Sequence, residues 1–170
     1  ADYVTVVDVA QLADPTLRAK SYANVSATMW GGEASARVAL PLDLYASATL
    51  AYTEGRNRTS GGWLAEIPPL RGSVALRYDR TRWFADVETV MSADQDSVDA
   101  SVAEQPTAGW AIVNLKAGVQ LAHAKLFAGV RNVFDRTYYE SLSYLRDPFA
   151  SGVRVPEPGR TLYATLQTSF

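Results

Sequence analysis

The sequence predicts an all-β protein whose antiparallel, up-and-down strands form a transmembrane β-barrel. About eight segments alternate apolar with polar residues, as strands do when one face is apolar and the other faces water. Short and long connections alternate along the chain, which is typical of outer-membrane barrels. Helical periodicity is nowhere sustained, and no apolar run approaches the roughly 20 residues of a membrane helix.

The last ten residues show this alternation clearly. One face carries Leu162, Ala164, Leu166 and Phe170, and the other carries Thr161, Tyr163, Thr165, Gln167 and Ser169. Such a strand needs a neighbour for its backbone groups and an apolar partner for its apolar face. That partner is a second sheet in a soluble sandwich and lipid in an outer-membrane barrel.

The other predicted strands follow one another along the chain. They cover residues 3–9, 22–40, 44–53, 71–79, 83–91, 111–121 and 125–134, with long loops at 11–21, 54–70, 92–109 and 135–159. Within 22–40 the apolar residues change parity, and a bulge at Gly31 and Gly32 would reconcile the two halves. The faces of residues 1–10 and 22–31 stay open at this stage.

The polar face favours the membrane over the soluble sandwich. Charged residues stand in mid-strand, where they would line an aqueous lumen: Asp86, Glu88, Lys116 and Arg131. We expect Arg77 or Lys116 to neutralise the two acids. Aromatic residues near the strand ends, among them Tyr52, Tyr78, Trp83 and Phe134, are typical of interfacial girdles.

Composition narrows the classes of function. The net charge of −2 and the pI near 5.4 give no basic field that would favour nucleic acid. The absence of cysteine excludes disulfides and thiolate metal sites. No signal peptide opens the chain, and residues 3–7 already have strand character, which suggests a start in the middle of a structure.

No constellation predicts catalysis or metal binding. His123 falls in a short turn without a partner, and Asp94, Asp96 and Asp99 lack the spacing of a calcium loop. The two methionines, at positions 29 and 91, are too few for a copper-binding cluster. We therefore predict neither enzymatic activity nor a cofactor.

Several stretches carry a recognisable pattern. Residues 31–33 read GGE, 66–71 read EIPPLR, 129–139 read GVRNVFDRTYY and 158–163 read PGRTLY. In this order they resemble motifs near the carboxyl end of TonB-dependent outer-membrane receptors, although Leu70 stands where that family usually has histidine. The terminal Phe170 resembles the signal that the barrel-assembly machinery reads.

The resemblance implies an outer-membrane receptor that transports a small metal chelate. Family members have a 22-stranded barrel and an amino-terminal plug that docks TonB, and nothing here resembles the plug. Residues 1–170 are therefore predicted to be the carboxyl-terminal part of such a barrel, in contact with membrane lipid and with the rest of the receptor. The alternative is a self-contained eight-stranded barrel with an anchoring, interaction or passive pore role.

The long loops are where such a receptor would hold its ligand, and two of them combine cations with aromatic rings. The candidate binding residues are Arg56, Arg58, Trp63, Tyr138, Tyr139, Tyr144, Arg146 and Arg154. This set would suit an anionic, aromatic chelate such as a ferric siderophore. Alternatively, the arginines pair with lipopolysaccharide phosphates or with the loop acids Glu140, Asp147 and Glu157.

Overall fold

A computed structural model of the chain describes residues 2–10, 18–143 and 154–168. These residues form strands β1 (Asp2–Ala10), β2 (Arg18–Leu40), β3 (Leu44–Asn57), β4 (Arg71–Asp79), β5 (Trp83–Ser92), β6 (Trp110–Gln120), β7 (Ala124–Arg131) and β8 (Thr161–Thr168), with one short 3-10 helix, Ala100–Val102. No helix in these ranges is both long enough and apolar enough to span a membrane. The all-β, antiparallel architecture is confirmed.

The strands form one sheet in chain order, and each pairs antiparallel with the next. Within the described residues β1 and β8 are the two edges of the sheet. β1 pairs with β2 only over residues 18–26, so the stretch 27–40 of β2 has β3 as its partner on one side only. Open edges of this length leave unpaired backbone groups, which is costly in lipid.

The register aligns the apolar residues of neighbouring strands on one side of the sheet, because directly paired residues share a face. One row across seven strands contains Val38, Ala46, Leu76, Val87, Leu115, Val130 and Leu162. We call this side the outer face and the opposite side the inner face. On the inner face Thr49 Oγ1 and Ser73 Oγ are hydrogen-bonded at 2.8 Å.

Aromatic pairs mark the two ends of the outer face. Trp30 and Tyr52 meet edge to face with centroids 5.2 Å apart near the loop end, and Tyr78 and Trp83 lie 4.8 Å apart near the turn end. Tyr78 pairs with Leu44, so the two pairs are about 26 Å apart along β3, or roughly 20 Å in height for a strand tilted by about 40°. This spacing fits the apolar band between the aromatic girdles of a membrane barrel.

The predicted bulge in β2 is wrong. The register from Ala27↔Asn57 to Leu40↔Leu44 is uninterrupted, β2 begins at Arg18, and β3 continues four residues beyond its predicted end. A Cβ on Gly31 would lie 2.3 Å from the backbone oxygen of Tyr52. Glycine is therefore needed at position 31 because the neighbouring strand backbone approaches closely, and not because the strand contains an inserted residue.

The parity change in β2 instead reflects a second core. Ala27 faces inward and packs with Leu64 and Ile67, and Tyr3 and Val25 lie against this cluster. Leu64 is only 1% exposed. At the loop end the loops cover the inner face, so apolar residues of β2 point inward there, whereas lower on the same strand they point to the outer face.

Candidate ligand-binding surface at the loop end

Two loops pack together over the inner face at the loop end. The buried Glu104 accepts hydrogen bonds from the backbone N–H groups of Glu66 (3.0 Å) and Asp99 (2.7 Å). The Gln95 side chain donates to the carbonyl of Ile67. Residues 58–70 and 93–109 are thus joined into one layer, and the 3-10 helix in the second loop contacts β1.

Burial raises the pKa of the Glu104 carboxyl above its ordinary value near 4.5, and the two backbone N–H groups act in the opposite direction. A carboxylate in such a place is costly unless its oxygens are satisfied. Here each oxygen has a donor, so Glu104 fastens the two loops. Asp94 and Asp99 have comparable structural roles, since Asp94 accepts from the N–H of Gly109 and Asp99 caps the 3-10 helix.

A cation and two aromatic rings meet above the inner face. Arg71, at the start of β4, forms a bidentate ion pair with Glu140 at 2.9 and 3.2 Å. Its guanidinium carbon lies 5.3 Å from the ring of Trp110, and that ring packs against Tyr138 with centroids 4.4 Å apart and the ring planes tilted by 45°. We call these four residues the inner-face group. It offers charge-assisted hydrogen bonding beside a stacking surface, the chemistry that anionic aromatic ligands require.

The loop that brings Tyr138 and Glu140 into place turns at Asn132. This residue is 2% exposed and adopts a positive φ of 50°, a conformation that asparagine tolerates. Its side chain both accepts from the N–H of Arg136 and donates to the Arg136 carbonyl, and its own N–H donates to Asn114. The asparagine of the GVRN segment therefore has a structural role.

The two family-like segments at the carboxyl end contact each other. Asp135 Oδ1 accepts from the N–H of Arg160 at 2.7 Å. A Cβ on Gly159 would lie 2.6 Å from the same oxygen, so a larger residue there would displace the Asp135 carboxylate from this hydrogen bond. This contact joins the two ends of the long connection between β7 and β8.

The other predicted cation–aromatic set lies on the outer face. The Arg56 guanidinium stacks on Trp63 with its carbon 3.2 Å from the ring centroid, and the two residues are directly paired across a β-bridge. Arg56 shares its face with Tyr52 because both have the same parity in the uninterrupted β3. Arg58 donates from Nε to Thr28 Oγ1 at 2.7 Å, and Thr28 is the register partner of Arg56.

The structure therefore divides the predicted binding residues. Tyr138 belongs to the inner-face group, Tyr139 follows it in a half-buried position, and Arg154 donates to the carbonyl of Pro106. The predicted residues outside the described ranges are Tyr144, Arg146 and Phe170. Sequence reasoning missed Arg71 and Trp110 as site residues, although strand parity places both on the inner face next to the loops.

Arg77 and Lys116 were expected to neutralise Asp86 and Glu88, and the contacts of these four residues follow that expectation only in part. Glu88 accepts from Asn114 Nδ2 at 3.1 Å, and Arg77 pairs with Asp79 at 2.7 Å. Asp86 has Arg77 and Lys116 as its register partners. Among the described residues no group of three or more His, Asp or Glu side chains could hold a metal ion.

These features define the wall and loops of an outer-membrane β-barrel, and comparison with known proteins identifies its family. The family profile described as TonB dependent receptor-like, beta-barrel matches residues 2–133. The chain belongs to this family, whose members are outer-membrane receptors. Comparison with curated protein sequences gives no match.

Solved receptors have the same fold. The copper transporter OprC shares 28% identity over 99% of this chain, with a TM-score of 0.87. The ferric citrate transporter FecA shares 21% over 92% (TM-score 0.67), and the ferric enterobactin receptor PfeA of Pseudomonas aeruginosa shares 22% over 89% (0.63). The latter two similarities indicate the fold alone. The chain spans 27%, 26% and 22% of the lengths of these three proteins.

Proposed function

We propose that this chain supplies wall and loops to a TonB-dependent receptor that takes up a metal chelate such as a ferric siderophore. Family membership supports the receptor role in place of a catalytic one. Solved proteins of the same fold include a ferric citrate transporter, a ferric enterobactin receptor and a ferripyoverdine receptor bound to ferripyoverdine.

The inner-face group is the observation that carries this proposal. Arg71, Trp110, Tyr138 and Glu140 stand at the loop end, where a ligand from outside would arrive before entering the barrel. The guanidinium would exchange its intramolecular carboxylate for an anionic group of the chelate, and the rings would stack on its aromatic parts. Tyr139 follows Tyr138 in the chain, and Arg154 donates to the carbonyl of Pro106, four residues before Trp110, so we include both in the proposed surface.

The open edges of the sheet indicate which partners this chain needs. Within the described part of the chain the edges at β1, β2 and β8 have no neighbour. We propose that the rest of the receptor supplies the missing strands together with the plug through which TonB acts. The native mass of the protein extracted from membranes tests this proposal. A mass several times 18.5 kDa supports it, whereas 18.5 kDa would favour the self-contained small barrel.

A charge-conserving pair of substitutions tests the ligand site. In the full receptor, Arg71→Gln with Glu140→Gln should weaken chelate binding about tenfold, because a charge-assisted contact of roughly 1.5 kcal/mol is lost. The matched control is Arg80→Gln with Asp43→Asn, which removes a 3.1 Å ion pair at the turn end. Chelate binding is measured by fluorescence titration, and equal affinities of the two double variants would contradict the proposal.

Copper is a second candidate cargo, favoured by the similarity to OprC. Met29 lies on the inner face and Met91 on the outer face, so these two do not form one site. Uptake of radiolabelled ferric chelates and of copper by cells that express the receptor distinguishes the two cargoes. Copper uptake without chelate uptake would replace the first proposal with the second.

A further inference from the structure

The arginines at the loop end of β3 point away from the inner-face group. Arg56 stacks on Trp63 on the outer face, and the Arg58 Nε contacts the hydroxyl of Thr28 on that same face. Since Thr28 is the register partner of Arg56, the two guanidinium groups flank one position of the outer wall. We call Arg56, Arg58, Thr28 and Trp63 the outer patch.

The height of the outer patch relative to the membrane follows from the aromatic girdle. Arg56 is four residues further along β3 than Tyr52, which pairs edge to face with Trp30. Four residues of a strand tilted by about 40° rise roughly 10 Å. The polar headgroup layer occupies about the first 5–8 Å outside the hydrocarbon. Long arginine side chains reach this layer from slightly above it.

The outer patch has hydrogen-bond donors to spare. The Arg56 side chain is 49% exposed, and its Nε lies 3.5 Å from Glu54, which is long for an ion pair. Within the described residues, the Nη groups of Arg56 and Arg58 make no hydrogen bond to protein. Glu54 also accepts from the hydroxyl of Tyr52 at 2.8 Å, so one acid offsets part of two positive charges and the patch remains cationic.

We propose that the outer patch binds a phosphate group of the phosphorylated glycolipid, lipopolysaccharide, in the outer leaflet. A planar guanidinium matches two phosphate oxygens, and two such groups side by side can hold one phosphate or two neighbouring ones. The exposed ring of Trp30, 57% accessible, lies below the patch where it contacts the apolar part of the same lipid. The inference depends on the outer-membrane location and not on the nature of the cargo.

The test uses the full receptor, extracted in detergent and reconstituted in phosphatidylcholine nanodiscs that contain either phosphorylated or dephosphorylated lipid A. Retained lipid is counted by native mass spectrometry. Arg56→Gln with Arg58→Gln removes the two cations. Arg37→Gln with Lys125→Gln removes two cations from the inner face and is the matched control.

We expect the outer-patch variant to retain less phosphorylated lipid A, by roughly fivefold for each arginine removed, and the control to retain as much as wild type. Arg56→Lys with Arg58→Lys keeps the charge but not the planar fork and should give an intermediate loss. Dephosphorylated lipid should show no difference among the proteins. Heat-modifiable mobility in gel electrophoresis confirms that each variant is folded.

Three results would overturn the proposal. The first is equal retention of phosphorylated lipid by wild type and the outer-patch variant. The second is an equal loss with dephosphorylated lipid, which would indicate a general effect on the wall. The third is binding of inorganic phosphate in detergent that the variant loses while its lipid retention is unchanged, since the patch would then be a site for a free anion.

Discussion

The membrane wall and the loop end of this sheet use the same strands with opposite polarity. In the wall, Val38 and Leu115 point outward and Thr49 and Ser73 point inward. At the loop end of β2 the apolar Ala27 points inward, while Thr28 lies on the outer face. No break in register separates the two regions. The surrounding medium therefore sets which face is apolar: lipid covers the outer face of the wall, and a layer of loops covers the inner face at the loop end.

The largest effect is expected from a charge placed on the outer face of the wall, which tests the assignment of the two faces. Leu115→Arg places a cation at mid-strand on the outer face and should destabilise the inserted barrel by about 2–4 kcal/mol. Lys116→Leu changes the next residue, on the inner face beside Phe127, and should be tolerated far better. Urea unfolding of the reconstituted receptor measures both. Similar effects of the two substitutions would contradict the assignment of faces.

The loop-end core provides the second test. Leu64→Ala removes a side chain that is 1% exposed and should destabilise the loop layer by about 2 kcal/mol, because the loops relax around part of the cavity. Leu50→Ala makes the same chemical change on the lipid-facing side, where lipid fills the space. Limited proteolysis of residues 58–70 should accelerate only in Leu64→Ala, and equal rates would remove the case for a protein core above the membrane.

The smallest effect concerns the carboxyl that fastens the loops. Because burial raises the pKa of Glu104, the packed loops bind its proton more tightly than the opened loops do. The packing is therefore favoured fully below pH 4.5 and loses this contribution as the pH rises through the raised pKa. Hydrogen exchange of the Glu66 and Asp99 amides, corrected for intrinsic rates, should show greater protection at the acidic end than above the raised pKa.

Glu104→Gln separates this titration from other effects of pH. The amide cannot ionise, so the pH dependence of protection should disappear. Only one of its two terminal atoms accepts a hydrogen bond, so overall protection of the two amides should fall. An unchanged pH dependence in the variant would assign the effect to another group.

The two arginine sites show where sequence reasoning reaches its limit. Arg56 and Tyr138 were both predicted from loop composition, yet one lies on the outer face and the other joins the inner-face group. Composition shows that cations and aromatic rings occur in the same loop. It does not show on which face of the sheet a residue lies, because that follows from alternation only when the residue is known to belong to a strand. The extension of β3 to Asn57, which its residues alone did not reveal, settled the side on which Arg56 lies.

Alternation and connection length are local properties of the chain, so the residues alone predicted the all-β architecture, the strand order and the apolar outer face. The family resemblance was likewise visible in the residues, because the motifs around Asn132 and Gly159 are contiguous stretches of the chain. Two features became evident only in the folded sheet: the apolar parity of β2 reverses without a bulge, and Arg71 meets Glu140 and Trp110. Those contacts join segments far apart in the chain, and their geometry depends on register and loop packing that no single segment encodes.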